Sequence, residues 1–522
     1  MNEWARRSTH NTLIIDESQD VGLQKVLLLY LRYLEDGVYV TKFWTALWVP
    51  KAECETLMRL IEDHFDDCGV EMTSIQGFAS DGATVVCSKG EGVAGKIIEK
   101  SPGCVNCHCV AHRNNLAVKH ACEGSRWASG FESKIVALLS YYSHSGNRRG
   151  TLEKLQEELQ VKKLALLKVC KTRWLSRGNA VRRICTLIPC ILLQLVRESA
   201  AGVELAATTL EKLLTHRFMA ALMLIADILD DLNSLSNVFQ RRDLRNTDVT
   251  EHVARVINKL ERTYIHGETV SASTWRTFCD AVKTGTGAKY SYMGSPEIEF
   301  DKSADDEAIA EVKSFAESVV GQLNAYFPCN PIIDALDIFD IRSFPKTEDA
   351  WRSKEIDFGR DELRFLLRHY TTLGYLRAED WPSILNEWNL LKADLFKVRQ
   401  ELSNNGTRPL KPAEETKAMS EFYKKMFEAN AASSEEDNES TPLSPSIRFL
   451  VCAFLCIELS SVCCERGFSI MNRIKCKARN RMYVDTLDSL MMIALNGPMD
   501  KTAKKVLIEE ACLRALGKFV PP

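Results

Sequence analysis

Short apolar blocks punctuated by turn residues fill the first part of the chain. Leu13–Ile15 is an apolar run that ends at Asp16, and Lys25–Leu34 and Val38–Val49 are β-rich runs joined by Glu35-Asp36-Gly37. Asp-Gly between two apolar runs predicts a hairpin, because the tight turn needs positive φ and glycine adopts it without strain. From Glu53 to Cys68 the period changes, and Leu57, Leu60, Ile61 and Phe65 fall on one face of a helix. Ile75–Ala79 is another strand, and it again runs into an acid, Asp81. Gly90–Lys100 reads as a short helix stopped by Ser101-Pro102-Gly103, and the strand Val105–Val110 leads into a further helix.

The middle of the chain is helical throughout. Between Thr151 and His266 there is one proline, Pro189, and stripes such as Phe218, Leu222, Ile225, Leu229 and Leu232 recur at helical spacing. The same pattern continues through Ile309–Tyr326 and Glu362–Leu376. Ala431–Ser446 is acidic, Ser-rich and Pro-containing, which is the composition of a mobile linker. Beyond it, Ile447–Gly497 is apolar and helical again.

At 522 residues the chain exceeds one ordinary core, which stops growing near roughly 250–300 residues. A net charge of -3 gives no overall attraction to nucleic acid, so any such contact must come from local basic patches. The 18 cysteines are scattered, with Cys452, Cys456, Cys463 and Cys464 in apolar surroundings, the pattern of reduced buried thiols. Met1–Thr9 has no apolar signal core, and Ile447–Leu459 is too short to span a bilayer. A soluble nuclear or cytosolic protein with no membrane association is expected.

Asp16 and Asp81 each stand where a strand gives way to polar residues, in IIDES and GFASDGA. Acids at strand ends project from a sheet rim, where convergent carboxylates can hold Mg²⁺, a cation that takes oxygen ligands and keeps several waters. The alternative is a pair of turn-forming aspartates. The third motif shifts this balance: Ser460–Met482 reads SSVCCERGFSIMNRIKCKARNRM.

Together with IDESQD, SDGATVV, CVAH and TRW, this motif resembles the hAT superfamily of DNA transposases and their domesticated relatives. The resemblance runs from about Thr12 to Gly497, with the motifs in family order. It implies an α/β RNase H-like core interrupted by a large all-α insertion and completed by a C-terminal helical dimerisation segment. It also implies a catalytic, metal-holding triad of Asp16, Asp81 and Glu465 with two Mg²⁺ (or Mn²⁺) ions. Asp20 shares the first motif, but the family pattern places the ligand at the earlier acid. Gln19 and Ile457-Glu458-Leu459 depart from the family pattern, at positions that are not ligands.

Cys104, Cys107, His108, Cys109, His112, His120 and Cys122 crowd one segment, and Cys104-x-x-Cys107 alone suggests zinc. No second pair stands at ribbon spacing, and the resemblance makes Cys109 and His112 active-site support, so zinc is not expected. Lys171-Thr172-Arg173-Trp174 opens a basic stretch with Arg177, Arg182 and Arg183. Arginines pair with phosphates and an indole stacks on an exposed base, so Arg173, Trp174 and Arg177 are candidate DNA contacts. The bland alternative is a helix start with its Trp in the core. Arg466, Arg473, Lys475 and Lys477, with Arg479 and Arg481, form a second basic tract, which a solvated face would explain equally well outside the family context.

The expected organisation is a first core segment at 8–125, an all-α insertion at 126–430, a linker at 431–446, a core-completing segment at 447–497 and a tail at 498–522. The expected function is Mg²⁺-dependent DNA strand cleavage and transfer in the nucleus, by a homodimer or higher oligomer that binds transposon ends. The alternative is a domesticated, non-catalytic nuclear protein that dimerises and binds DNA or protein partners. Only Met1–Asn11 precede the first strand, with no cysteine, so the family's N-terminal zinc finger is expected to be missing.

Overall fold

The computed structural model describes residues 1–83, 86, 92–167, 174–266, 272–283, 285, 288–404, 411–431, 443–498, 500 and 502–506. The chain divides into two compact units: Met1–Cys109 with Arg245–Thr247 and Asn330–Pro522, and Val110–Leu244 with Asp248–Cys329. The sheet-bearing unit thus ends its first segment at Cys109 rather than at residue 125, and it resumes at Asn330 rather than near 447.

The reason lies in the apolar faces of the helices between Pro331 and Ala431. Phe339, Leu366, Leu367, Tyr370, Trp388 and Tyr423 form one cluster with Ile447, Leu450, Val451 and Phe454 of the Pro445–Cys456 helix. Leu34 and Tyr39 of the sheet pack against the same cluster. Each such side chain contributes roughly 1.5–3 kcal/mol when fully buried, so these helices stay with the sheet that carries their partners.

The sheet has five strands in the order β3-β2-β1-β4-β5. Here β1 is Asn11–Gln19, β2 Lys25–Glu35, β3 Val38–Trp48, β4 Ile75–Ser80 and β5 Val105–His108. The first three form an antiparallel meander, while β4 lies parallel to β1 and β5 parallel to β4. The β2–β3 turn is Asp36-Gly37, with φ of 48° and 74°, the positive pair that matches the twist of the flanking strands.

One sheet face carries Leu13, Ile15, Leu27, Leu29, Leu31 and Phe78, which pack on Leu57, Ile61 and Phe65 of the Cys54–Cys68 helix. The opposite face lies under the C-terminal helices. Thr12 Oγ1 donates to the Cys456 carbonyl at 2.6 Å, and Arg32 Nε donates to the Leu455 carbonyl at 3.0 Å. The edge strand β3 is covered by the Val484–Asn496 helix, whose side chains satisfy its free amides. Phe43 N donates to Asn496 Oδ1 at 3.2 Å, and Ala46 N donates to Asp488 Oδ1 at 2.7 Å. An edge capped in this way is closed to further strand pairing.

The first residues form an element that periodicity did not reveal. Asn2–Arg7 is a short helix, tied down by Trp44 Nε1 donating to Asn2 Oδ1 at 3.1 Å and Arg6 Nε donating to the Cys68 carbonyl at 2.7 Å.

The second unit is helical, with one two-stranded hairpin at Lys289–Tyr290 and Ile298–Glu299 that the sequence reading lacked. At its centre is His216–Phe239, whose predicted stripe Phe218, Leu222, Ile225, Leu229 and Leu232 is buried. Asp227 caps the neighbouring Ser273–Lys283 helix by accepting from Thr274 N at 2.8 Å and Trp275 N at 3.2 Å. Gly178–Ala200 is long and apolar enough to cross a membrane by length and composition alone. With 67% of its window buried, it sits as a core helix of this unit. Most of the acidic linker lies outside the described residues, but Ser444 is ordered and caps the following helix by accepting from Ile447 N at 3.3 Å.

Candidate functional site

The strand that carries Asp16 pairs in parallel with the strand that leads into Asp81. Ile14 of β1 pairs with Ala79 of β4, and Leu13 pairs with Phe78 on the face that meets the Cys54–Cys68 helix. Side chains alternate along a strand, so Asp16 points to the opposite face, while Asp81 follows the end of β4 and lies beyond the last β1–β4 pair, Ile14 with Ala79. Asp16 is still within β1 and half-buried, while Asp81 lies just past β4. The Asp81 carboxylate accepts from Ala83 N at 3.0 Å, and Gly82 between them has a φ of 82°.

Glu465 comes from the far end of the sequence. It lies in the first turn of the Val462–Ile474 helix, which packs on β1 and β2 through Val462, Cys464, Gly467 and Met471. Gly467 makes the close approach possible, since a β-carbon there would lie 2.6 Å from Tyr30 Oη and 2.9 Å from Leu28 Cδ1. Leu28 is the β2 residue opposite Asp16.

Cys109 connects the two halves of this rim. Its backbone N–H donates to the Ser80 carbonyl at 2.8 Å, immediately before Asp81. Its thiol lies 3.6 Å from Ser460 Oγ, which in turn accepts from Val462 N at 3.2 Å at the start of the Glu465 helix. The neighbouring Cys464 thiol is pushed well above its ordinary pKa, by burial first, then by Cys463, and then by the charges of Asp16 and Cys109. A buried thiol beside a carboxylate keeps its proton, which leaves the carboxylates as the hard donors of this corner. Among the described residues, no group of three His, Cys, Asp or Glu side chains stands close enough together to hold a metal ion. The Glu465 helix packs on β1 and β2, and the three carboxyl groups form no closed cage.

The remaining candidates divide. Lys475 was expected at DNA and is instead sealed inside: its Nζ lies 2.6 Å from Asp20 Oδ2, with 1% and 0% of the two side chains exposed. That lysine cannot reach a phosphate while this pair is intact. Arg473 and Lys477 are exposed, as are Arg479 and Arg481. Arg466 is half-buried near Glu458, whose side chain is itself largely buried. Burial raises the Glu458 pKa, and Arg32, Arg245 and Arg466 counter the rise. Arg32 Nη1 is 3.8 Å from that carboxylate.

Arg182, read as part of the first basic stretch, is paired with Asp230 and lies 3.5 Å from Asp227, so its charge is already engaged. Arg173 lies outside the described residues, as do the side chains of Trp174 and Arg177 at the start of the Trp174–Ala200 helix. His112 is half-buried on the Val110–Glu123 helix of the helical unit. Cys104 and Cys107 are buried free thiols.

Residues 7–92 match the family described as ZMYM1/FAM200, RNase-like domain (DUF4371). The match spans β1 to β4 and includes Asp16 and Asp81, while Glu465 lies beyond it. The chain therefore resembles an RNase-like domain at its mixed sheet and is mostly helical after it.

Sequence reasoning missed Ser460 as the partner of the Cys109 thiol, and it missed Gly467 as a packing requirement. The second carried a readable signal, because a glycine inside a helical motif costs about 1 kcal/mol and implies a close approach.

Proposed function

We propose that this is a transposase-derived protein with an RNase H-like core, in which Asp16, Asp81 and Glu465 hold a pair of Mg²⁺ (or Mn²⁺) ions for DNA strand cleavage and transfer. The observation that carries the reading is the β1–β4 register. It sets the strand that carries Asp16 beside the strand that leads into Asp81, and the Glu465 helix packs on β1 and β2. The strand order β3-β2-β1-β4-β5, an antiparallel meander followed by parallel strands, is also the arrangement an RNase H-like core needs.

Two bound ions would supply activation of the attacking oxygen and charge stabilisation on the leaving oxygen of the phosphodiester. The chain's own residues set where that happens. Asp16 and Asp81 offer hard carboxylate oxygens from a rigid sheet, and Glu465 offers a third from a helix start fixed by Ser460. Arg473 and Lys477, together with Arg173 and Arg177, would contact phosphates, and Trp174 would stack on an exposed base. Cys109 and His112 support the site. Zinc has no part in this reading. Nuclear residence and assembly into dimers through 447–497 belong to the same proposal. The Val484–Asn496 helix leaves Leu490 and Ile493 exposed, with Tyr483 just before it.

A second reading, a domesticated partner-binding protein without catalysis, is favoured by one observation: no three-ligand group is closed among the described residues. The experiment that separates the two is strand cleavage of hairpin-prone DNA ends in Mg²⁺ and Mn²⁺. Asp16→Asn, Asp81→Asn and Glu465→Gln should each abolish cleavage while leaving DNA binding in place. A wild-type chain that binds DNA and dimerises without cutting in either metal would establish the second reading.

A further inference from the structure

Asp81 stands beyond the last ladder pair of its strand, so no sheet hydrogen bond fixes the direction of its carboxylate. Ser80 and His108 are the final paired residues of β4 and β5. The His108 ring turns back over the residue after Asp81: a β-carbon at Gly82 would overlap its imidazole. Gly82 also has a φ of 82°, the left-handed region that favours glycine. The two positions restrict each other, since residue 82 tolerates no side chain while a flat ring occupies the space above it.

We propose that His108 is a positioning residue whose ring, seated on Gly82, holds the Asp81 turn and so aims its carboxylate along the rim. The inference rests on the reading of Asp81 as a metal-holding acid. A strand-end ring is a suitable wall. Its backbone is anchored in β5, it has two side-chain torsions, and it presents a flat surface to the glycine. The Asp81 carboxylate is already restrained from its own side by the Ala83 N–H at 3.0 Å. Removing the ring would leave the glycine free to re-orient, and the carboxylate would lose its direction without leaving the rim.

The test is Mn²⁺ titration of the full chain, read by electron paramagnetic resonance of the free ion, beside its urea unfolding midpoint. His108→Ala should weaken Mn²⁺ binding by about tenfold or more, as loss of a supporting residue behind a ligand does, with the midpoint unchanged. His108→Phe keeps a flat ring and should stay within about twofold of the wild type. If the alanine variant does not fold, His108→Gln, which removes the ring but keeps a polar side chain, takes its place. Wild-type affinity in the ring-less variant overturns the proposal, and so does a phenylalanine variant as weak as the ring-less one. A wild-type chain that binds no Mn²⁺ overturns the metal-holding reading of Asp81 itself, and this inference with it.

Discussion

The Asp20 carboxylate and the Lys475 ammonium lie 2.6 Å apart with both side chains closed off from solvent, joining the end of β1 to the end of the Glu465 helix. Asp20 Oδ1 also accepts from Gly22 N at 2.7 Å and Gln24 N at 3.0 Å, and Lys475 Nζ donates to Gln24 Oε1 at 2.9 Å. The pair is hydrogen-bonded on both sides, which is the condition under which a buried ion pair persists. It clamps the helix that delivers Glu465 to the strand that delivers Asp16.

Removing one partner leaves the other charge buried without compensation. Lys475→Met should therefore cost about 3–5 kcal/mol of unfolding free energy, measured by urea denaturation. Asp20→Leu combined with Lys475→Met should recover much of that loss. A Lys475→Met chain of wild-type stability with weakened DNA binding would instead make the lysine a phosphate contact.

Gly467 is the second point at which this helix is fixed. A β-carbon there meets Tyr30 Oη at 2.6 Å and Leu28 Cδ1 at 2.9 Å, and both come from the sheet. Gly467→Ala should destabilise the chain by about 1–3 kcal/mol through overpacking. Tyr30→Phe removes the nearer atom, so adding it should restore part of the loss. Strict additivity of the two changes in a double-mutant cycle would contradict the contact.

Asp337 gives a pH dependence with a definite sign. Its carboxyl is raised to about 8, by burial first, then opposed by the Asn246 hydrogen bond at 2.8 Å and raised further by Asp340 and Asp334. The folded chain then holds a proton that the unfolded chain releases near its ordinary value of 3.8. Stability from this group is full below the unfolded value, declines as pH rises, and levels off above about 8. The slope is at most about 1.4 kcal/mol per pH unit. Asp337→Asn should flatten the fall in urea midpoint between pH 5.5 and about 8 and raise stability at the upper end. An unchanged slope would remove Asp337 as its source.

The strands were legible because short apolar blocks and an Asp-Gly turn are local signals, and Asp81 does lie just past β4, but Asp16 falls inside β1, which runs on to Gln19. Asp16 and Asp81 needed only the end of an apolar run to be noticed, and the parallel pairing of β1 with β4 needed the structure. Lys475 was not legible, because a lysine in a basic tract looks the same whether it faces water or a distant aspartate. The boundary at Cys109 was hidden for a related reason: helical periodicity shows that a face is buried, not which unit buries it. The helices from Pro331 to Ala431 look like any others until the Pro445–Cys456 helix is seen against them. Six residues at Asn2–Arg7 are too few for a period to declare itself.

The basic tract after the Glu465 helix can be divided by salt. Arg473 and Lys477 are exposed, whereas Lys475 between them is enclosed with Asp20. Phosphate contacts release condensed counterions, and each neutralised phosphate steepens the fall of log K against log salt by roughly 0.9 on duplex DNA. Arg473→Gln with Lys477→Gln should therefore lower the steepness by roughly 1.8 if both side chains reach phosphates. Matched and scrambled duplexes should lose affinity equally, because backbone contacts position DNA without reading its sequence. The measurement is a fluorescence-anisotropy titration of both duplexes across a series of salt concentrations. An unchanged slope in the double variant would mean that this face is merely solvated. A loss confined to the matched duplex would mean that these two residues read base edges instead.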